Sequence, residues 1–312
     1  MAQFVTLTPN PAVDLSTSID RVVPTLKLRC AAPRRDPGGG GINVARVIKR
    51  FGGDVEAILP AGGFTGQLLR RLIDDEGIET RIIEAEAETR EDFYVSELHT
   101  GSQYRFILPG RPLREPEWRE CLAALAATVP APKFVVGSGS LPPGVPDDFY
   151  ARAATIAREL GAKFFLDTSG PPLAAALEHG LYLIKPNLHE MSELVGAELA
   201  SPAEWLTMAR TLIKKGKVEI VALSLGHLGA LIVTRDQSLR AHSLPITPVS
   251  AVGAGDSFLG ALVYSLGSGA SLADAFRLSV AAGAAALLNE GTGLCRPADV
   301  YRLSAKTRIE SA

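Results

Sequence analysis

The chain has 312 residues, of which 46% are hydrophobic and 21% are charged, and its 32 basic and 34 acidic side chains give a net charge of −2. This length suits either two ordinary domains or one large α/β domain, which can bury a core without disulfides or metals. The near-neutral charge argues against non-specific nucleic-acid binding and against polybasic attachment to membranes, so an anionic partner must be met at a local site.

Short apolar runs recur along the chain, and helix-like patterns separate most of them. The predicted strands are 4–7, 55–59, 134–136, 163–166, 181–184, 220–223 and 230–233. Helical spacing relates Val44, Ala45, Ile48 and Phe51, and again Phe258, Leu259, Leu262 and Leu266. Strands that alternate with helices predict a mostly parallel sheet with helices on both faces. In such sheets ligands bind beyond the carboxyl ends of the strands.

Two stretches interrupt this alternation. Residues 14–37 are rich in Pro, Ser, Thr and Arg, and residues 93–98 and 103–108 have the alternating pattern of a β-hairpin. Because so small a hairpin is only marginally stable alone, we interpret about 14–37 and 88–110 as one discontinuous β lid over a site. The lid would be inserted in a single domain, 1–312, and could bury its apolar face against a second subunit. An ordinary elaboration of the sheet edge is the alternative.

The strongest chemical signal is the run of small residues Gly253, Ala254 and Gly255 before Asp256, directly ahead of a helix. Small side chains leave the backbone N–H groups of a helix N-terminus uncovered, and these donors form an anion site. A carboxylate at this place fits a general base that takes a proton from a hydroxyl while the amides hold a phosphoryl group. A plain helix cap explains the local pattern equally well.

A second glycine-rich helix start lies at 37–46, with the sequence PGGGGINVAR. Gly38 and Gly39 would let a ligand approach the backbone closely, and Asn43, one turn into the helix, could bond a sugar hydroxyl. The run is not a dinucleotide fingerprint, because the third glycine of G-x-G-x-x-G is missing.

A third helix start follows the strand 181–184, where Lys185, Asn187 and Glu190 come together. This set suits phosphates and a water-coordinated Mg²⁺, although for this motif taken alone a capped helix with a solvated face is the simpler explanation. The loops 224–229 and 137–144 also follow predicted strands and could contact a base or a phosphate, or serve only as turns.

Other chemistries are excluded more firmly. The sequence has no P-loop, no protein-kinase motif and no G-x-S-x-G, and its five histidines lack metal-ligand spacing. The three cysteines, Cys30, Cys121 and Cys295, are far apart and include no C-x-x-C. With no signal peptide at the N-terminus and no apolar stretch of membrane-spanning length, we expect a cytoplasmic protein.

Taken in order, these motifs resemble the pfkB family of ribokinase-like carbohydrate kinases over essentially the whole chain. The resemblance rests on 38–46, 253–257 and the shorter segments 27–30, 60–63, 103–106, 139–144, 185–187 and 289–292. It implies a three-layer α/β/α ribokinase-like fold with a mostly parallel sheet and a small β lid. Four glycines at 38–41 are typical of the 6-phosphofructokinases within this family.

The resemblance also implies a role for each position. Asp256 would deprotonate the C1 hydroxyl of fructose 6-phosphate, and Gly253, Ala254 and Gly255 would form the anion hole. The residues implied to bind the sugar phosphate are Asp14, Lys27, Gly38, Gly39, Asn43, Arg90 and Ser140. Those implied to bind ATP are Lys185, Asn187, Ser224, Gly226 and Gly229, with Asn187 and Glu190 organising Mg²⁺ through water. A monovalent cation such as K⁺ would use Ser250, Val252, Ala286, Asn289 and Gly291.

The implied activity is ATP-dependent phosphorylation of fructose 6-phosphate to fructose 1,6-bisphosphate, with a homodimer formed through the lid. A tagatose-6-phosphate kinase or 1-phosphofructokinase on the same fold is one alternative. A non-catalytic sugar-phosphate sensor is another, and it is disfavoured because a sensor needs no base at 256. No nucleic-acid or membrane partner is expected.

Overall fold

The apolar runs form the centre of a large sheet in the computed structural model, which describes residues 3–250 and 252–312. In chain order the strands are β1 (Phe4–Leu7), β2 (Ala12–Ile19), β3 (Arg34–Gly38), β4 (Val55–Ala61), β5 (Glu79–Glu84), β6 (Arg90–Glu97), β7 (Gln103–Phe106), β8 (Phe134–Ser138), β9 (Lys163–Asp167), β10 (Leu181–Ile184), β11 (Val218–Ser224), β12 (Ala230–Val233), β13 (Ser238–Ala241) and β14 (Ile309–Ser311).

The helices lie between these strands and after them. They are α1 (Gly40–Arg50), α2 (Gly63–Asp75), α3 (Glu115–Ala126), α4 (Phe149–Glu159), α5 (Gly170–Leu177), α6 (Leu188–Val195), α7 (Pro202–Lys214), α8 (Ala254–Gly267), α9 (Leu272–Ala286) and α10 (Pro297–Ser304). Gly226–Leu228 forms a single 3₁₀ turn.

The large sheet has the strand order β14-β13-β12-β11-β10-β9-β8-β1-β4-β5. The strands from β11 to β5 pair in parallel, and β11 to β14 continue the sheet as antiparallel neighbours. All seven predicted strands are confirmed. The strands that the apolar pattern missed in this sheet, β5, β13 and β14, are partly exposed or lie at an edge.

Helices cover both faces of the sheet because successive strand residues point to opposite sides. On β1, Val5 and Leu7 pack in a core with α3 to α7, whereas Phe4 packs in a second core with α1, α2, α8 and α9. Burying each such side chain stabilises the fold by about 1.5–3 kcal/mol. The result is the three-layer α/β/α arrangement that the alternating pattern predicts.

A second, four-stranded sheet has the order β3-β2-β6-β7. β2 pairs in parallel with β6, and each outer strand is antiparallel to its neighbour. The predicted hairpin corresponds to β6 and β7, whereas the strand character of β2 and β3 was not evident in their polar sequence. We call this second sheet the lid sheet.

In the part of the chain that the structure describes, residues 3–250 and 252–312, no helix is long and apolar enough to cross a lipid bilayer.

Candidate active site

Asp256 lies in the first turn of α8, which is close to Lys185 in the loop after β10. The residue that caps α8 is Gly253, whose φ of 76° is left-handed, and a Cβ there would lie 2.7 Å from the Leu294 side chain. Gly253 has no side chain with which to cap the helix, and the Asp256 carboxylate accepts a hydrogen bond from Asn43 at 2.9 Å. Asp256 is therefore not a plain helix cap, and its carboxylate faces the site.

The pKa of Asp256 is raised from 3.8 to about 6, first by burial and then by the nearby carboxylate of Asp167. The hydrogen bond from Asn43 and the charges of Lys185 and Arg105 act in the opposite direction. A carboxylate with a pKa near 6 is ionised at neutral pH and is a stronger base than an ordinary aspartate. This is the range that general-base catalysis favours.

A buried cation, the Lys185 ammonium, lies close to the N-terminus of α8. The Lys185 ammonium is 3.2 Å from the Asp167 carboxylate, and a Cβ added at Gly255 would lie 3.3 Å from its Nζ. Burial alone would lower the pKa of Lys185, but the carboxylates of Asp167, Glu190 and Asp256 outweigh it and raise the pKa. Lys185 therefore stays charged beside the first turn of α8, and an ammonium next to the N–H groups of a helix N-terminus is a combination suited to binding an anion.

Asn43 connects α1 to this site. Its side-chain Nδ2 donates to Asp256, and its Oδ1 accepts from Arg46 one turn along α1. The two helices approach closely because Gly260 of α8 faces Val47, where a Cβ would be only 2.7 Å away. The structure thus brings Asn43 to the carboxylate of Asp256, a contact that the sequence pattern did not predict.

Three aspartates lie side by side across the lid sheet. The register places Asp14 on β2 directly opposite Asp36 on β3 and Asp92 on β6. Burial and then Asp92 raise the pKa of Asp14 to about 8, although Arg46 and Arg90 oppose this change. Asp14 is therefore largely protonated at neutral pH and able to donate as well as accept a hydrogen bond.

The glycine-rich start of α1 borders this row of aspartates. A Cβ at Gly38 would overlap the Asp14 carboxylate. Gly39 has a φ of 110° and lies against Thr8 and Pro11, so its backbone conformation also requires glycine. Asp14 and Gly38 are therefore in contact where β3 leads into α1, and Asn43 lies one turn along the same helix.

Arg90 and Ser140 line a neighbouring cavity of about 670 Å³. The guanidinium of Arg90 is held by Asp92 at 2.9 Å and by the carbonyl of Leu108, while its Nε is buried without a partner among the described residues. Asn10 donates to the Ser140 hydroxyl at 3.1 Å. The cavity therefore carries a cation, an amide and a hydroxyl, which are groups that bind phosphate.

Asn187 and Glu190 form a reciprocal capping box at the start of α6. Each side chain accepts a hydrogen bond from the other residue's backbone N–H, at 2.8 Å in both cases. Burial raises the pKa of Glu190, with Asp167 adding to the effect. The simpler explanation, a capped helix, is thus part of what these residues do, although the Glu190 carboxylate still faces the charges around Lys185.

The loop after β11 is joined to the loop after β10. The backbone N–H of Ser224 donates to the Pro186 carbonyl at 3.0 Å, beside Asn187. Gly226 and Gly229 have positive φ angles, and a Cβ at Gly229 would overlap the Ala241 carbonyl. The two loops therefore form one continuous rim beyond the sheet.

The residues expected to hold a monovalent cation divide into two groups. Ser250 donates to the Gly291 carbonyl at 2.9 Å and accepts from the Val252 N–H at 3.2 Å, so these three lie together. Asn289 donates to the carbonyls of Ala285 and Leu294, and its backbone N–H bonds the Ala286 carbonyl. The first group offers the hydroxyl and carbonyl oxygens that hard cations prefer.

Lys27 is exposed in the segment between β2 and β3. Asp167, Asp36 and Asp92 were missed by the sequence analysis because each gains its importance from strand register or strand order. Arg105 on β7 belongs to the segment 103–106, and the sequence alone indicates no role for its side chain. Among the described residues, no cluster of three or more His, Cys, Asp or Glu side chains is arranged to hold a metal ion.

Comparison with known proteins identifies relatives of this chain. Residues 8–299 match the model of the pfkB family carbohydrate kinases. The ATP-dependent 6-phosphofructokinase isozyme 2 of Mycobacterium tuberculosis is 49% identical over 96% of this chain and 88% of its own length. The enzyme of the same name from Escherichia coli is 41% identical over 98% and 99% of the two chains. A 1-phosphofructokinase from Xanthomonas campestris is 35% identical over 85% and 84%.

Solved structures show the same arrangement. The phosphofructokinase-2 from Escherichia coli in complex with potassium superimposes with a TM-score of 0.93, at 41% identity over 98% of this chain and 99% of that one. Its tetrameric inhibited form gives a TM-score of 0.92 at 40% identity, with the same coverage. The ribokinase from Arabidopsis thaliana shares the fold at a TM-score of 0.76, 19% identity and coverages of 97% and 99%. The predicted ribokinase-like fold is confirmed.

Proposed function

Because the chain belongs to the pfkB family of carbohydrate kinases, we propose that it is an ATP-dependent 6-phosphofructokinase. It would transfer the γ-phosphoryl group of ATP to the C1 hydroxyl of fructose 6-phosphate. The observation that carries this proposal is Asp256, an oriented carboxylate with a raised pKa, lying in the first turn of α8 beside the Lys185 ammonium.

In this reaction Asp256 takes the proton from the C1 hydroxyl as the oxygen attacks the γ-phosphorus. The bond from the phosphorus to the bridging oxygen of ATP breaks, and ADP leaves. The N–H groups around Gly253, Ala254 and Gly255 face the phosphoryl oxygens and form the anion hole. Each donor directed at the developing charge contributes about 3 kcal/mol in such sites.

The sugar phosphate would lie between the lid sheet and α1. Protonated Asp14, the backbone at Gly38 and Gly39, and the second N–H of the Asn43 amide are able to bond its hydroxyls. Its phosphate would enter the cavity that Arg90 and Ser140 line, and Lys27 would approach the phosphates from the lid segment. This orientation directs C1 to Asp256.

ATP would lie along the rim formed by Lys185, Asn187, Ser224, Gly226 and Gly229. Oxygen ligands and retained waters are what Mg²⁺ prefers, and the Glu190 carboxylate beside Asn187 supplies such an oxygen at this rim. Asn187 and Glu190 would hold Mg²⁺ through water. When bound, the ion would neutralise negative charge on the phosphates.

A monovalent cation such as K⁺ would be held beside the anion hole. Ser250, Val252 and Gly291 lie together with a hydroxyl and a carbonyl oxygen at their centre, and Ala286 and Asn289 add the carbonyls of the adjoining helix end. The bound ion supplies positive charge behind the α8 N-terminus.

We also propose a homodimer that forms through the lid sheet. Phe106, Ile107 and Leu108 are 53%, 52% and 43% exposed in succession at the end of β7, and Leu98 is 67% exposed beside the turn of the same hairpin. Exposed apolar residues grouped on one element mark an interaction surface. A double variant, Leu98→Asp with Phe106→Asp, should sediment as a monomer. The matched control is Phe64→Asp on α2, which replaces a residue 86% exposed and should leave the dimer intact.

A panel of acceptors tests the proposed activity. Coupled ADP release is measured with fructose 6-phosphate, tagatose 6-phosphate and fructose 1-phosphate, with Asp256→Asn as the inactive control. The highest kcat/KM should be for fructose 6-phosphate. A preference for either other sugar would make this chain a tagatose-6-phosphate kinase or a 1-phosphofructokinase, and binding without ADP release would make it a sensor.

A further inference from the structure

We propose that Arg46 is a positioning residue for the reaction: it fixes which way the Asn43 carboxamide faces and so holds Asp256 as an oriented proton acceptor. This inference rests on the proposed function, which makes Asp256 the base. The Arg46 side chain is only 1% exposed, so it has almost no surface with which to contact a substrate.

Every nitrogen of the Arg46 guanidinium has a partner. Nε and Nη2 bond the Glu76 carboxylate at 2.8 and 2.7 Å, and Nη2 is 3.5 Å from Asp36. Nη1 donates to the Pro37 carbonyl and to Asn43 Oδ1, both at 3.2 Å. This fork of five donors on a planar group fixes the position of Nη1 closely, which a lysine ammonium would not do.

The orientation of the Asn43 amide follows from that contact. A guanidinium only donates hydrogen bonds, so the amide oxygen must face Arg46 and the amide nitrogen must face Asp256. In the opposite orientation the amide oxygen would face Asp256 and favour its protonated form. The 2.9 Å bond from Asn43 Nδ2 to Asp256 Oδ2 therefore depends on the cation behind it.

Other charges around Asp256 do not supply this control. Asp167 at the end of β9 raises the pKa of Asp256, whereas Lys185 after β10 and Arg105 on β7 lower it through their charge. None of these three bonds Asp256, and each acts whichever way the amide faces. The bond from Asn43 is the contact that both orients the carboxylate and stabilises its charged form.

Arg46 is also joined to the lid sheet. Asp36 of β3, its weaker partner, accepts a hydrogen bond from the Thr292 hydroxyl at 2.9 Å, and the Pro37 carbonyl lies just ahead of the glycine-rich turn. A purely structural role, holding α1, α2 and β3 together, therefore needs to be separated from positioning of the base.

The titration of Asp256 separates the two roles and needs no substrate. With aspartate labelled at ¹³Cγ, the Asp256 signal is assigned by its loss in Asp256→Asn and is followed against pH in Arg46→Lys and Asn43→Ala. Both variants should raise the pKa of Asp256 by roughly one unit, since each loses a charge-assisted hydrogen bond. The double variant should move it no further than either single one.

Arg50→Gln is the matched control, because Arg50 bonds the same Glu76 carboxylate at 3.0 Å but does not contact Asn43. It should leave the titration unchanged. If Arg46→Lys does not fold, Glu76→Ala removes the acceptor that holds Nε and should raise the pKa in the same direction. An unchanged Asp256 titration in the folded variants would overturn the proposal, as would additive shifts in the double variant.

Measurements of ADP release then distinguish a failure of the Arg46 inference from a failure of the proposed function. In the enzyme, the acid limb of kcat/KM for fructose 6-phosphate should move upward in Arg46→Lys and stay in place in Arg50→Gln. If the wild type releases no ADP with any sugar phosphate, the proposed function fails, whereas the titration still decides whether Arg46 positions Asp256.

Discussion

Replacing Asp256 by asparagine separates what this residue contributes to turnover from what it costs the fold. The substitution keeps the side-chain shape, and the new amide oxygen can still accept the hydrogen bond from Asn43. It removes the proton acceptor, however, and general-base catalysis contributes about 10²–10⁴-fold. We expect kcat to fall by that factor, about 3–5.5 kcal/mol in the barrier, with sugar binding retained.

The same substitution should stabilise the protein. The pKa of Asp256 is raised from 3.8 to about 6, which corresponds to about 3 kcal/mol because one pKa unit is about 1.36 kcal/mol. The stability that a carboxyl group with a raised folded-state pKa contributes is fully present below pH 3.8. That stability is lost as the pH rises through about 6. Above that range the ionised group destabilises the fold, and asparagine removes this cost.

Two assays on one preparation measure the change in kcat and the change in stability. ADP release with saturating substrates gives kcat, and urea unfolding at about pH 8 gives the free energy of unfolding, which should rise by roughly 2–3 kcal/mol. A variant with near-normal kcat would refute the assignment of the base. A variant that is less stable than the wild type at this pH would refute the electrostatic account of the site.

The remaining predictions concern the lid sheet and the anion hole. Asp14→Asn should be more stable than the wild type by at least ~1 kcal/mol near pH 9, because the pKa of Asp14 is raised to about 8 and its contribution to stability is lost as the pH rises through that value. Urea unfolding should show a smaller gain at about pH 5, because the loss builds up over the whole range from pH 3.8 to about 8. It should show no gain in Asp236→Asn, an exposed control, and a gain for Asp14→Asn that is independent of pH would contradict this. Gly255→Ala should lower kcat by roughly 10-fold or more, since its methyl group would lie 3.3 Å from the Lys185 ammonium and narrow the anion site. The melting temperature of this variant should not fall, because alanine favours helix by about 1 kcal/mol over glycine. A variant with a lower melting temperature and an unchanged kcat would argue against the anion hole.

The central sheet was predictable because its strands are continuous apolar runs. β5, β13 and β14 were not, since they are partly exposed and lie near the sheet edges, where the apolar pattern is weak. The strands β2 and β3 were not predicted for a related reason, because their sequences are rich in polar residues. In the lid sheet these polar residues lie next to a polar site.

The candidate site was predictable where a motif carries its own chemistry, as at Asp256 and the glycines before it. Asp167 is the last residue of an ordinary buried strand, β9, and only the order of strands in the sheet places its carboxylate beside Lys185. The row of Asp36, Asp14 and Asp92 depends on strand register, and sequence spacing does not reveal it.

Asn43 shows a different limit of prediction from the sequence. One turn into a glycine-rich helix, it was expected to bond a sugar hydroxyl, and the structure shows one of its N–H groups already bonded to Asp256. Two helix starts more than two hundred residues apart meet here, a consequence of packing between α1 and α8 that local patterns do not contain.

The position of the transferred phosphoryl group tests the central claim most directly. ³¹P NMR of the product formed from fructose 6-phosphate and ATP should show a new phosphate ester on C1, giving fructose 1,6-bisphosphate with one equivalent of ADP. No transfer to fructose 6-phosphate, together with efficient transfer to fructose 1-phosphate, would contradict the account.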